Sequence, residues 1–335
     1  MTLDLPLIWA GLIAFAVLAY VVLDGFDLGI GILFPLFKQE RERDVLMNSV
    51  APVWDGNETW LVLGGGGLLA AFPLAYATIL PALYAPLTVM LLGLIFRGVA
   101  FEFRWRTVRW KRVWDWSFTL GSLMATFMQG IALGGLIQGI KVADRAYAGG
   151  WWDWLTPFSI LTGIALVVGY SLLGACWLVI KTEGEIQNRC YDLGRKLSVG
   201  LVLLIGLVSL WTPFLGEQFL QRWFTWPNIL LTAPMPLLVL LAAGSLWRGL
   251  HDYSRPKQPF LSALALFVLS YIGLGISFWP LMVPPSLTFY DAAAPDVSLG
   301  FLLVGAVILL PIILAYTAYS YYVFRGKVDP DAHYH

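Results

Sequence analysis

Apolar runs of about 20 residues recur along nearly the whole chain and are separated by short polar interruptions. A helix of that length crosses the ~30 Å hydrocarbon layer of a membrane. Of the 335 residues, 59% are apolar and 13% are charged, which is about half the charged fraction of a soluble domain. The sequence therefore predicts an all-α integral membrane protein in which residues 1–335 form a single polytopic domain.

We predict about nine transmembrane helices. They lie near residues 6–26, 51–72, 76–97, 116–140, 157–180, 197–215, 228–247, 259–281 and 298–323. The first run, which starts at Leu5, has no basic flank ahead of it and no small-residue cleavage site behind it. We therefore expect a retained helix instead of a signal peptide.

Basic residues are distributed unevenly between the two sets of predicted loops. One set contains 18 of the 21 lysines and arginines, and the other contains only Lys141, Arg145 and Arg222. Because basic loops stay in the cytoplasm, this bias predicts a periplasmic N-terminus and a cytoplasmic C-terminus. An odd number of spans likewise requires the termini to lie on opposite sides.

Two short segments place carboxylates within predicted spans. Asp24 and Asp27 lie in the first span, and Asp55 and Glu58 lie at the start of the second. Each pair is spaced i, i+3, so both of its side chains share one helix face. The predicted topology brings both pairs and Arg97 to the cytoplasmic half of the membrane. Charged groups are costly in a membrane span, and their retention there indicates a function.

These four acids and one arginine allow two interpretations. A carboxylate without a charge partner in an apolar setting takes up a proton, which favours proton exchange, above all at Asp55. Alternatively, Asp55 or Asp27 neutralises Arg97, or Asp55 stabilises a helix N-terminus. For Asp24 and Glu58 the structural interpretation is the stronger one.

Two further features are expected to be structural. The run from Gly64 to Gly67 removes side chains over more than one turn of the second span, so we expect another helix, or a cofactor, to approach closely there. Asp115, at the start of the fourth span, is expected to cap that helix and to interact with its dipole.

The predicted spans contain no histidine. The three histidines of the sequence, His251, His333 and His335, fall in a predicted loop and in the C-terminal tail. Haem iron in a helix bundle is usually held by His or by His and Met, so this chain is poorly equipped to bind haem by itself. It also has no nucleotide-binding motif and no Cys/His metal spacing, and its zero net charge does not indicate nucleic-acid binding. We therefore expect no metal site and no catalytic group in this chain.

Several motifs extend through the chain. The most specific are Asp24-Gly-Phe-Asp-Leu-Gly-Ile-Gly31 and Asn48-Ser-Val-Ala-Pro-Val-Trp-Asp-Gly-Asn-Glu-Thr-Trp60. Others are Phe96-Arg97-Gly98, Phe101-Glu-Phe-Arg104, Trp114-Asp115-Trp116, Phe278-Trp-Pro-Leu-Met-Val-Pro-Pro-Ser286 and Pro311-Ile-Ile-Leu-Ala-Tyr316. Together they resemble subunit II of cytochrome bd-type quinol oxidases, including the cyanide-insensitive branch. One departure is Thr59, where the family usually has valine.

The resemblance implies a fold of two four-helix bundles plus a peripheral helix. It implies a complex in the bacterial cytoplasmic (inner) membrane that oxidises ubiquinol and reduces oxygen to water. Haems b558, b595 and d are expected in a haem-bearing subunit I, and small single-helix accessory subunits and membrane lipid are further expected partners. A structural quinone in this subunit stays open, because the loop near residues 216–227 is short compared with some relatives.

The resemblance also implies roles for this subunit. It is expected to stabilise subunit I and to contribute to a proton path from the cytoplasm towards the oxygen-reducing haem. Asp55 matches the family's acidic proton-path position. The acids expected on the path are Asp55, Asp27, Asp24 and Glu58. The residues expected to support the haem site are Arg97, Asp115 and Trp54.

Two other functions remain open. A proton-coupled transporter that uses the same acids would be built from inverted repeats, and no repeat is visible in the sequence. A purely structural scaffold would lose assembly when Asp55 is neutralised, while any surviving enzyme would be normal.

Overall fold

The structure is a computed structural model that describes residues 3–329, so His333 and His335 lie outside the described residues. The helices of the first half are α1 (Leu5–Leu33), α2 (Glu40–Asn48), α3 (Trp54–Ala71), α4 (Pro73–Ala82), α5 (Tyr84–Arg106), α6 (Lys111–Gln138) and α7 (Pro157–Lys181). Those of the second half are α8 (Gly184–Trp211), α9 (Glu217–Phe224), α10 (Ile229–Thr232), α11 (Pro234–Gly249), α12 (Lys257–Phe278), α13 (Phe289–Ala292) and α14 (Asp296–Val323).

Two short antiparallel hairpins interrupt the helices. Strand β1 (Val142–Ala143) pairs with β2 (Ala146–Tyr147) between α6 and α7. Strand β3 (Leu281–Val283) pairs with β4 (Leu287–Thr288) between α12 and α13. The segment near residues 216–227, predicted as a loop, is largely the helix α9.

The long helices form two bundles. Helices α1, α3, α5 and α6 make the first bundle, and α7, α8, α11 and α12 make the second. The two bundles are joined where α7 packs along both α6 and α1. Helix α14 packs at the edge of the first bundle, against α1 and α3. The prediction of two four-helix bundles plus a peripheral helix is confirmed.

Within residues 3–329, seven helices are long and apolar enough to cross a membrane: α1, α5, α6, α7, α8, α12 and α14. The other two members of the bundles are shorter. Helix α3 has 18 residues and includes two acids, and α11 has 16 residues. The prediction of about nine spans therefore agrees with the number of long helices, although two of these helices are shorter than a typical span of about 20 residues.

The third predicted span, near residues 76–97, is wrong in its bounds. Pro73 has no N–H to donate to a helical hydrogen bond, so α3 ends at Ala71 and the chain restarts as the short α4. Helix α5 then extends from Tyr84 to Arg106, nine residues beyond the predicted end of the span. Arg97 and Arg104 are therefore both helical, and both are buried.

Helix α1 stays continuous past both of its aspartates. After them the chain continues into a short 3-10 helix at Phe34–Leu36 that contains Pro35. Asp24 and Asp27 are therefore enclosed by protein in the middle of the bundle, and both are fully buried.

Glycines set the closest contacts between helices. A Cβ added at Gly29 of α1 would lie 1.8 Å from the carbonyl oxygen of Tyr170 on α7. A Cβ added at Gly93 of α5 would lie 2.7 Å from the carbonyl oxygen of Gly121 on α6. Backbones in membrane proteins pack this closely where side chains are small. These two crossings fix the spacing of the helices around Asp24.

The four consecutive glycines of α3 make no such contact. Within residues 3–329, no atom lies within 4 Å of a Cβ added at Gly65 or Gly66. Gly64 and Gly67 only reach ordinary van der Waals contact, 3.4 Å from side chains of α1. Helix α1 therefore packs against this run at Gly64 and Gly67, as predicted for another helix, whereas no helix approaches Gly65 and Gly66 within residues 3–329.

Candidate functional site

An ion pair between Arg97 and Asp24 lies inside the first bundle. Arg97 Nη1 is 2.7 Å from Asp24 Oδ1, and both side chains are fully buried. The pair joins α5 to α1. The Arg97 guanidinium also lies 5.8 Å from the ring centroid of Trp54, which stacks on Phe101 with 4.7 Å between centroids. Loss of Arg97 would leave the buried Asp24 carboxylate without its cation, which is strongly destabilising.

Asn57 connects three helices beside this ion pair. Its Nδ2 donates to Asp27 Oδ2 at 2.8 Å and to the Leu23 carbonyl oxygen at 3.2 Å, both on α1. Its Oδ1 accepts a hydrogen bond from the Tyr321 hydroxyl of α14 at 2.9 Å. Asn57 is 1% exposed. One buried amide therefore holds Asp27 and the peripheral helix in place together.

The two acids of α3 lie in different environments. Glu58 is half-buried. It lies within electrostatic range of Arg97, Asp24 and Asp55. Asp55 is exposed in the first turn of α3, where the helix dipole favours a carboxylate. The direct ion-pair partner of Arg97 is Asp24, and Asp27 contributes to balancing the charge of Arg97 only at longer range.

An exposed stripe continues along α3 from Asp55. Thr59, Val62, Gly66 and Leu69 follow at spacings of three or four residues, and all are exposed. This spacing places them on one face of the helix. We call these five residues the α3 outer face. It combines one carboxylate at its end with small and apolar side chains along the rest.

Asp115 belongs to a second charge cluster, away from the first. It receives Arg104 Nε at 2.6 Å and Arg43 Nη1 at 2.8 Å. Arg104 Nη1 also lies 2.7 Å from Asp44 Oδ1. Since α6 begins at Lys111, Asp115 lies beyond its first turn, and the predicted capping role is wrong. The cluster instead ties α2 to α5 and α6.

A third polar group was not predicted. Gln129 Nε2 donates to the Tyr20 hydroxyl at 2.6 Å, and Gln129 Oε1 accepts from the Tyr170 hydroxyl at 2.8 Å. Both tyrosines are buried, and Tyr20 lies one turn before Asp24 on α1. The available signal was Gln129 itself, a polar residue within the fourth predicted span.

The structure separates the seven predicted site residues into three places. The buried group around the ion pair contains Arg97, Asp24, Asp27, Glu58 and Trp54. Asp55 lies at the edge of this group on the α3 outer face, and Asp115 lies in the cluster with Arg104. Two residues that sequence reasoning did not single out, Asn57 and Arg104, make hydrogen bonds or ion pairs that hold these groups in place.

Among residues 3–329, no histidine lies within a helix where it could hold a haem iron. His251, the one histidine among residues 3–329, lies between α11 and α12, and its Nδ1 is 2.8 Å from the carbonyl oxygen of Trp247. In the same described range, no group of three or more His, Cys, Asp or Glu side chains is arranged to hold a metal ion. A haem held by histidine in a membrane bundle needs such a ligand within a helix.

Comparison with known proteins agrees with this fold. The chain matches the family described as cytochrome bd terminal oxidase subunit II over residues 5–324. It is 29% identical to cytochrome bd-I ubiquinol oxidase subunit 2 of Escherichia coli (strain K12), over 98% of this chain and 96% of that protein. It is 32% identical to cytochrome bd ubiquinol oxidase subunit 2 of Bacillus subtilis (strain 168), over 96% of each.

A solved structure has the same fold. A chain of the bd oxidase from Geobacillus thermodenitrificans superposes with a TM-score of 0.75 and 18% sequence identity, covering 96% of this chain and 99% of that one. The fold and the family match both extend over nearly the whole sequence. The protein therefore belongs to the cytochrome bd terminal oxidase subunit II family.

Proposed function

We propose that this chain is the non-haem subunit II of a ubiquinol oxidase in a bacterial inner membrane. The complex couples quinol oxidation to the reduction of oxygen to water. Haems b558, b595 and d would be held by the partner, subunit I, and would supply the electron transfer to oxygen. Family membership supports this role, and so does the lack of a fitting haem ligand in the spans of this chain.

Subunit I would cover the α3 outer face. Gly65 and Gly66 leave space beside α3, and Val62 and Leu69 present apolar surface at the same face. Small residues let a second helix approach the backbone closely, which is how membrane helices associate. This contact would stabilise the haem-bearing subunit and would bring Asp55 to the boundary between the two subunits.

The α3 acids would then form the entry of a proton path from the cytoplasm. Asp55 would take up protons at the cytoplasmic end of α3 and pass them to Glu58, one turn deeper. The observation that carries this proposal is the change from exposed Asp55 to half-buried Glu58, with Arg97 in electrostatic range behind it. A buried cation that faces several acids allows one of them to gain and lose a proton while the others stay paired.

The proton path is tested by quinol oxidation in the purified complex with Asp55→Asn or Glu58→Gln. We expect turnover to fall by about 100-fold, the lower end of what a positioned acid or base contributes, with haem content unchanged. Glu102→Gln is the matched control, because Glu102 is an exposed acid on α5 whose ion-pair partner, Arg106, is also exposed.

Two other outcomes would be decisive. Full turnover in Asp55→Asn, with unchanged proton uptake, would remove the relay role. Loss of haem during assembly, together with normal turnover in the surviving complex, would support a scaffold instead. In both cases Glu102→Gln reports any general effect of removing a negative charge from this side of the protein.

The non-haem role is tested by visible spectroscopy in mild detergent. We expect haem bands in the complex and none in this chain after subunit I has been stripped away. Haem bands that stay with the isolated chain would contradict the proposal. A colourless and stable solitary protein that never co-purifies with a haem subunit would favour a proton-coupled transporter.

A further inference from the structure

Gln129 and the two tyrosines that it joins do not belong to the path described above. We propose that Tyr170, Gln129 and Tyr20 form a positioning chain that aims the hydroxyl proton of Tyr20 at the Asp24 carboxylate. The chain runs through α7, α6 and α1 in that order. Its functional meaning rests on the proposed proton path, because Asp24 sets the charge balance that Glu58 experiences.

The argument begins with the donor and acceptor capacity of Tyr20. A phenol has one proton to donate and also accepts hydrogen bonds. Tyr20 accepts from Gln129 Nε2 at 2.6 Å, which leaves its own proton for another acceptor. Asp24 lies one turn further along α1 and interacts electrostatically with Tyr20. Within residues 3–329, Asp24 Oδ2 has no hydrogen-bond donor. A buried hydroxyl with a proton to donate and a buried carboxylate oxygen without a donor therefore lie one helical turn apart.

The orientation of the Gln129 amide follows from its two neighbours. Its oxygen faces Tyr170, which donates at 2.8 Å, so its N–H group faces Tyr20. With this orientation the Tyr20 hydroxyl accepts from the amide and keeps its own proton for another acceptor. In the reverse orientation the amide oxygen would accept from Tyr20 and would consume its proton. Only the orientation in the structure therefore leaves the Tyr20 proton for Asp24.

Tyr170, at one end of the positioning chain, is held in a fixed position by its packing. Its ring packs against Phe267, with 5.7 Å between centroids and 26° between planes. A Cβ added at Gly25 would lie 2.8 Å from the Tyr170 ring, so only glycine leaves room for it. Tyr170 is fully buried. A ring enclosed by these contacts keeps its hydroxyl, and hence the Gln129 amide, in one position.

The positioning chain of Tyr170, Gln129 and Tyr20 would act on the reaction only through Asp24. Arg97 binds Oδ1 of that carboxylate, and a hydrogen bond from Tyr20 to the remaining oxygen would fix the carboxylate plane. A hydrogen bond to a charged group is worth more than one between neutral groups. Gln129 therefore acts through Tyr20 and Asp24, as a positioning residue.

The test compares Gln129→Met with Gln138→Met in the intact complex. Both glutamines lie on α6, and Gln138 uses its Oε1 to accept from Thr156, far from Asp24. The first readout is the infrared band of the Asp24 carboxyl group, identified as the band lost in Asp24→Asn or displaced in Asp24→Glu. We expect Gln129→Met to shift this band and Gln138→Met to leave it unchanged.

The second readout is turnover at unchanged haem content. Loss of one charge-assisted hydrogen bond corresponds to about tenfold, so we expect Gln129→Met to lower turnover by about that factor and to shift its pH profile. Gln138→Met should change neither. If Gln129→Met does not assemble, Tyr170→Phe removes a single hydroxyl and should shift the Asp24 band in the same direction by a smaller amount.

Two results would overturn the proposal. An Asp24 band unchanged in Gln129→Met would show that the amide does not act on Asp24. Band shifts of opposite sign in Gln129→Met and Tyr20→Phe would show that the amide has the reverse orientation and competes for the Tyr20 proton. The infrared readout does not depend on the proton path, so an Asp55→Asn complex with full turnover would refute the path and leave this test intact.

Discussion

Removal of the Arg97 charge is expected to destabilise the chain more than removal of the Asp24 charge. Arg97 interacts electrostatically with Asp24, Glu58 and Asp27, so one cation faces three acids. Breaking a buried ion pair by removing one partner costs about 3–5 kcal/mol. Loss of the contact with the Trp54 ring adds about 0.5–2 kcal/mol. We therefore expect Arg97→Met, which keeps most of the side-chain volume, to cost about 4–6 kcal/mol.

Asp24→Asn is expected to cost only about 2 kcal/mol, toward the lower part of the range for losing one charged hydrogen-bond partner. The neutral amide can still accept a hydrogen bond from Arg97, and Glu58 and Asp27 still offset the charge of that guanidinium. The assay is unfolding of the purified protein in mild detergent, followed for both single variants and for the double variant. In this double-mutant cycle, the loss of unfolding free energy in the double variant should be about 1–3 kcal/mol smaller than the sum of the losses in the two single variants.

The control for this cycle is Arg106→Met, at the exposed end of the same helix. Arg106 reaches Glu102 at 3.7 Å with 79% of its side chain exposed, so its loss should cost less than about 1 kcal/mol. The reasoning fails if Arg97→Met is no more damaging than Asp24→Asn. It also fails if the two substitutions are additive, since the buried charges would then not interact.

Three further predictions follow from the buried contacts. Asn57→Leu should lower the free energy of unfolding in detergent by about 2–4 kcal/mol, because it removes hydrogen bonds and leaves a buried carboxylate oxygen without its donor. Tyr321→Phe should lower it by only about 1 kcal/mol, and equal costs for the two variants would contradict this reasoning. Gly29→Ala should prevent folding or lower the free energy of unfolding by more than about 3 kcal/mol, since its Cβ would lie 1.8 Å from a carbonyl oxygen of α7. Gly65→Ala should leave the isolated chain stable but lower the yield of co-purified subunit I. Arg104→Met should cost about 3–5 kcal/mol because two ion pairs are lost from a fully buried guanidinium, and a cost below 1 kcal/mol would show that this cluster is hydrated and weak.

The sequence could predict the helices because lipid leaves few alternatives. Every backbone polar group in a membrane must be satisfied internally, so each long apolar run becomes a helix. The bounds were less predictable where apolar residues continue through a break. Pro73 interrupts one apolar stretch, and nothing in hydropathy alone indicates that the next long helix carries Arg97 into the bundle.

The sequence could predict that the acids and Arg97 lie at a similar depth in the bundle, but not which of them form an ion pair. Topology placed the acids and Arg97 at one level, yet the choice of Asp24 as the ion-pair partner depends on how each helix is rotated about its own axis. Asn57 stood inside a recognised motif, but its partner Tyr321 comes from a helix more than 260 residues further along the chain. A contact of this kind leaves no local pattern to read.

The most direct test of the proposed function measures proton uptake by the complex in sealed vesicles. The initial rate of uptake from the side of the basic loops is followed during quinol oxidation, in Asp55→Asn and in the Glu102→Gln control. The proposal predicts that uptake and oxygen consumption slow together in Asp55→Asn, with the haem spectrum unchanged, while the control behaves as the parent complex. Uptake at the parent rate in an Asp55→Asn complex with full haem content would contradict it.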